Sequence, residues 1–188
     1  LMYGGTLNGN FGPLLDDLLV LSVDRVNGCV TVKAAREVAQ AGEEEADSAR
    51  PGARRGHSMT AMQGRGGEVL AVVLGGWGDG MEVPCQPHLL HRDGDGDLFR
   101  WSRPETSGEP PDGRSFHSAT EVAPALLLVY GGLGTGRCRE DVALLSLESL
   151  VWSSPRLTGS PRCLGGRAGH GAAFFPSARG KGGGELLL

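Results

Sequence analysis

The sequence predicts an all-β protein assembled from a repeated unit, and three observations carry that expectation. Short apolar runs, such as residues 69–74 and 125–130, are separated by turns rich in glycine, proline and aspartate, as in a sandwich, barrel or propeller. Both runs are apolar without alternation, the pattern of a strand covered on two faces. The same succession of anchors also returns along the chain, which is the mark of a repeat architecture.

The third unit shows the succession in full. It opens with Arg114 and His117, runs through an apolar stretch to Gly131-Gly132, resumes at Asp141-Val142 and closes at Trp152. The second unit has Arg54 and His57, the run to Gly75-Gly76, and Trp101 in the closing place. The fourth begins with Arg167 and His170 and stops at residues 184–188. The first supplies the middle of a unit, with Gly4-Gly5 after a short apolar run and a second run over 17–23. His57 and His117 are 60 residues apart, His117 and His170 are 53 apart, and Trp101 and Trp152 are 51 apart.

This order and period resemble the kelch repeat. The resemblance implies a kelch-type β-propeller segment of about three and a half four-stranded blades, with pieces near 1–35, 54–102, 114–156 and 167–188 in one incomplete domain over 1–188. Propellers close with roughly four to eight blades, so missing blades or a second copy would be needed to complete the ring. Leu1 falls in a strand, which reads as a start inside a longer protein. The glycine pairs let the backbone turn and approach closely where a side chain would clash. Trp101 and Trp152 are expected to fill the gaps between blades, and His57, His117 and His170 to be structural hydrogen-bonding residues.

Four stretches depart from the pattern. The first unit has no tryptophan; the aligned place is residues 26–29, followed by Val30-Thr31-Val32 as a weakly specified outer strand. The second carries an insertion around 81–96, with Leu89-Leu90 standing in for the third strand. Residues 36–51, with Glu43-Glu44-Glu45, read as a solvated loop, and a short helix over 34–40 competes there with the strand running on from Val30. Residues 103–113, with three prolines, read as the connection between blades.

Charge and composition narrow the function. A net charge of −4 and no basic stripe with interleaved aromatics argue against nucleic acid. No apolar run approaches the length of a membrane span. Cys29, Cys85, Cys138 and Cys163 are scattered without a CxxC pair, which predicts free thiols in a reducing compartment, cytoplasm or nucleus.

Several motifs imitate chemistry. Gly131-Gly132-Leu133-Gly134-Thr135-Gly136 looks like a dinucleotide loop, but a strand is expected after it in place of a helix. Asp93, Asp95 and Asp97 begin like a calcium loop and then meet Leu98 where glycine is required. His91-Arg92-Asp93 echoes a kinase loop without its later asparagine. His88 and His91 read as a surface pair on opposite faces of a strand. The kelch resemblance also implies an enzymatic precedent, a copper oxidase of the galactose oxidase type using two tyrosines and two histidines. Here Tyr3 and Tyr130 each precede a glycine pair inside a core run and read as structural.

The expected function is a protein–protein interaction module, a scaffold or substrate-recognition adaptor, with no catalytic residue, metal or cofactor. Arg54, Arg114 and Arg167 share one repeated position before the innermost strand. Either they ring the channel mouth and grip another protein or an acidic peptide, or each pairs with a neighbouring blade's carboxylate and ties the ring together. The alternative from another class is a kelch-fold enzyme of oxidase, epimerase or specifier type, its site completed by missing blades.

Overall fold

Each apolar run finds its ladder partners within its own unit. A computed structural model describes residues 1–7, 12–38, 49–63, 69–93, 98–158, 164–177 and 183–188. In the first unit β1 (Met2–Thr6), β2 (Leu14–Asp24) and β3 (Cys29–Ala34) form a three-stranded antiparallel sheet in that order. The second unit brings β4 (Arg36–Glu37), β5 (Ser58–Ala61), β6 (Val69–Leu74), the small hairpin β7 (Trp77–Gly78) and β8 (Met81–Glu82), then β9 (His88–Asp93) and β10 (Leu98–Ser102). Its sheet has the order β4-β10-β9-β6-β5.

The third unit repeats this plan with β11 (Ser107–Gly108), β12 (Ser118–Ala123), β13 (Leu126–Tyr130), the hairpin β14 (Leu133–Gly134) and β15 (Arg137–Cys138), β16 (Val142–Ser146) and β17 (Val151–Ser153). Its order is β11-β17-β16-β13-β12. The fourth contributes one antiparallel pair, β18 (Ala173–Pro176) and β19 (Gly184–Leu187). The architecture is all-β, a succession of small, mostly antiparallel sheets consistent with part of a propeller and with no closed barrel.

The non-alternating runs have a direct explanation. Ala71 and Val73 face one core, with Leu90, Phe99 and Trp101 of their own unit and Tyr3 and Leu18 of the first. Val72 and Leu74 face a second core, with Cys85 and Leu89, against Leu127, Val129, Ala143, Leu145 and Trp152 of the third unit. Strand β6 is therefore dry on both faces. Trp101 and Trp152 each fill the seam toward the preceding unit, and burying one is worth about 2–3 kcal/mol.

The ladders correct several expectations. Val32, not the stretch 26–29, takes the place of the missing tryptophan. It pairs with Leu21, three residues past the partner of Tyr3, as Trp152 pairs with Leu145, three residues past the partner of Tyr130. The insertion over 81–96 is not a single insertion, because hairpin β7–β8 has its counterpart in β14–β15. The surplus lies in the approach to β9 and in the longer β9–β10 pair.

From β3 through residue 38 the chain is extended or irregular, and Arg36–Glu37 is a parallel edge strand on β10, so no helix occupies 34–38. Nor is 36–51 simply a solvated loop: Glu37 accepts from the Trp101 indole at 2.9 Å, Pro51 is buried, and Arg50 reaches Asp16 and Glu37. The connection over 103–113 likewise lends β11 to β17 in parallel. The triple glutamate, the aspartate-rich stretch at 94–97 and Cys163 lie outside the described residues.

Candidate interaction surface

In each unit the innermost strand (β5, β12) runs away from the Arg-x-x-His turn, and the second (β6, β13) runs back toward it. The third (β9, β16) then leaves from that same end. One end of the segment therefore gathers the arginine–histidine turns, the glycine pairs and the hairpins β7–β8 and β14–β15.

The glycine pairs join neighbouring units there. The amides of Gly5, Gly76 and Gly132 donate to the carbonyls of Arg54, Arg114 and Arg167 at 2.9, 2.8 and 2.8 Å. The first glycine of each pair, at φ +60, +56 and +65°, lies so close that a Cβ would meet the same carbonyl at 2.9, 2.7 and 2.6 Å. Turning and close approach were both expected of these glycines, and the group approached is the next unit's carbonyl.

The histidines sit at the same seams. His117 Nε2 lies 2.9 Å from Ser58 Oγ of the preceding unit, and His170 Nε2 lies 2.9 Å from Ser118 Oγ. His57 packs edge-on against Tyr3 and His170 against Tyr130. Burial pushes His57 and His117 down to about 4, with Arg54 and Arg114 respectively adding to it, so both rings are neutral at pH 7. The two tyrosine hydroxyls donate to backbone carbonyls, Tyr3 to Pro51, and Tyr130 to Leu164 and Gly165 at 2.8 and 2.6 Å. Burial raises Tyr3 to about 12.

The three arginines differ in exposure but all direct donors inward. Arg54 is buried and gives Nε to Gly52 O and Nη1 to Gly75 O, both at 3.0 Å. Arg114 is buried and gives Nε to Asp112 O, Nη1 to Gly131 O, and both terminal nitrogens to Asp141 at 3.0 and 2.7 Å. Arg167 is half-buried, bonds Leu164 O at 2.7 Å and lies 6.0 Å from the centre of the Tyr130 ring. Burial alone would raise Asp141, but the hydrogen bonds and charge of Arg114 hold it below its ordinary value. The carboxylate partner belongs to the arginine's own unit rather than to a neighbouring blade.

His88 and His91 do lie on opposite faces of β9, but they are not a surface pair. Both are buried, with His88 Nδ1 2.9 Å from Ala49 O and His91 Nε2 2.6 Å from Ser102 Oγ. The dinucleotide-like glycines are the end of β13 and the hairpin β14–β15, with no helix after them. Among the described residues no three His, Cys, Asp or Glu side chains gather as a metal site.

Phe116 went unnoticed in the sequence. It stands at φ +57° where the sister units have Gly56 (φ +62°) and Gly169 (φ +70°), and it is 41% exposed. Its amide donates to Gly56 O at 2.6 Å and its carbonyl accepts from Gly169 at 2.8 Å. The available signal was a bulky residue at a position that is glycine in the two sister units.

No family model matches the chain. It is 32% identical over 120 residues to acyl-CoA-binding domain-containing protein 4 of Arabidopsis thaliana, covering 64% of this chain and 16% of that protein. It is 41% identical over 64 residues to the Rab9 effector protein with kelch motifs of Mus musculus, covering 32% of this chain and 17% of the other. The chain thus matches only about a sixth of the length of these relatives. A chain in the cryo-EM structure of RAG in complex with one melted and one unmelted RSS superposes with a TM-score of 0.62 at 14% identity, covering 92% of this chain and 56% of that one. That likeness concerns the fold alone. The relative with kelch motifs supports the kelch resemblance of the repeat over part of the chain.

Proposed function

We propose that the chain is a protein-interaction module that engages its partner through the end where the hairpins and the arginine–histidine turns gather. The observation that carries this is the use made of the recurring polar residues. The histidines, tyrosines and glycine pairs are engaged in joining units, which leaves the solvent-facing hairpin residues to supply contact. Likeness to a Rab9 effector with kelch motifs supports the same class of function. On this reading the module is an adaptor or scaffold, and Arg54, Arg114 and Arg167 brace its surface from beneath. Free thiols at Cys29, Cys85 and Cys138 favour work in a reducing compartment such as the cytoplasm or nucleus. The enzyme alternative draws no support from Tyr3 and Tyr130, whose hydroxyls are committed to backbone carbonyls.

Affinity capture with mass-spectrometric identification tests the proposal, run in parallel with the double variant Met81→Glu, Thr135→Lys, which alters exposed hairpin positions. The expected result is one protein recovered reproducibly and lost with the variant, whose thermal transition is unchanged. Recovery undiminished by the variant, or no protein in repeated captures, overturns it.

A further inference from the structure

The interaction end also shows a charge asymmetry. In the Arg114–Asp141 pair the arginine side chain is 2% exposed and the aspartate 49%. In the Arg139–Asp112 pair the figures are 13% and 73%. Both pairs place the guanidinium inside and the carboxylate outside. Asp79 at the tip of β7–β8 and Glu140 before β16 are exposed as well. Among the described residues at this end, four carboxylates are exposed against two exposed arginines, Arg103 and Arg137; Arg55, Arg139 and Arg167 are half-buried, and Arg54 and Arg114 are buried.

Phe116 belongs to the same end, four residues after Asp112 in the chain and two before β12. A bulky residue in the left-handed region is a strained arrangement, held here by its bonds to Gly56 and Gly169. Its ring lies against Gly56, where even a Cβ would come within 3.1 Å of it. The fold thus keeps an aromatic ring half in solvent, in a fixed position, at a cost that glycine would avoid. An exposed aromatic ring on the same end as outward carboxylates is complementary to a guanidinium or ammonium group.

We propose that this end receives a cationic peptide segment of a partner protein, with an arginine or lysine over Phe116 and further basic residues facing Asp79, Asp112, Glu140 and Asp141. The inference rests on the interaction reading above and reverses the acidic partner that the arginines alone suggest in the sequence.

The test pans a phage-displayed random-peptide library against the purified chain and titrates a selected peptide by fluorescence anisotropy. Arginine- and lysine-rich sequences should be enriched. Phe116→Gly should weaken the selected peptide about tenfold while the melting temperature holds or rises, since glycine is native to the sister positions. Asp79→Lys with Glu140→Lys should weaken it further. Enrichment of neutral or acidic sequences, no enrichment, or binding indifferent to Phe116→Gly overturns the proposal. A reproducibly captured partner that does not depend on Phe116 would leave the interaction reading standing; no partner and no peptide would remove both.

Discussion

Arg114 shows how much of this surface is decided beneath it. Its guanidinium serves two backbone carbonyls and a carboxylate, so Arg114→Ala leaves several acceptors unpaired at once. We expect a loss of about 2–4 kcal/mol in urea unfolding, scaled down from a fully buried pair because Asp141 keeps half its hydration. Arg50→Ala, at a more exposed pair of bridges, should cost about 0–1 kcal/mol.

The histidines predict acid sensitivity. His57, His88 and His117 have folded values near 4, chiefly through burial, against an unfolded value of 6.5. As pH falls below 6.5 the unfolded chain takes up protons that the folded chain refuses, so stability present above 6.5 drains away toward pH 4. Urea midpoints should hold from pH 7.5 to about 6.5 and fall from there to 4.5, and His117→Gln should flatten that fall; a flat wild-type profile contradicts the assignment. The recurring Arg and His were legible as repeat positions, but their burial was not. Whether a guanidinium turns inward depends on carbonyls such as Gly131 O, brought there by another strand.

Among elements, a glycine of a pair and a glycine of the following hairpin allow a controlled comparison. At Gly132 (φ +99°) a Cβ would meet His117 Cβ at 2.8 Å and Ser115 O at 2.9 Å, whereas at Gly136 (φ +76°) it would meet nothing within 4 Å. Both Ala variants carry left-handed strain of about 1 kcal/mol, and Gly132→Ala adds the collision, for a total of about 3 kcal/mol or more. Chemical denaturation of the two variants side by side checks the order.

The strands themselves were readable wherever an apolar run ended in Gly-Gly or carried a tryptophan, as β13 and β17 do. The edge strands β4 and β11 were not, because two residues carry no periodicity and their partners, β10 and β17, come at the far end of the unit that each one opens. Nor was the role of Val32, since hairpin β2–β3 is longer than a count of twenty residues from Gly5 allows.

For the whole molecule, the first unit presents an uncovered face. Leu21, Val23, Val30 and Val32 are exposed, although Leu90 and Trp101, or Leu145 and Trp152, are buried at the corresponding pair in the next two units. Such a patch favours association. Static light scattering of the chain should show a mass that rises with concentration, and Val23→Lys with Val32→Lys should suppress the rise. A monomer at all concentrations would show that the face is tolerated in water. The propeller character was legible because the period and the two-sided apolar runs are properties of the chain alone; which faces remain uncovered depends on how the units stack.

The bonds from Gly5, Gly76 and Gly132 to the next unit's arginine carbonyl run only between adjacent members of the series. Unfolding energetics should then resemble a one-dimensional chain of nearest-neighbour couplings. Amide exchange should be slowest in β6 and β13, faster in the terminal sheets, and graded between them. A lesion such as Trp152→Ala should therefore loosen β6 and β13 on either side of its seam while leaving the pairing of β1 with β2 at its original protection.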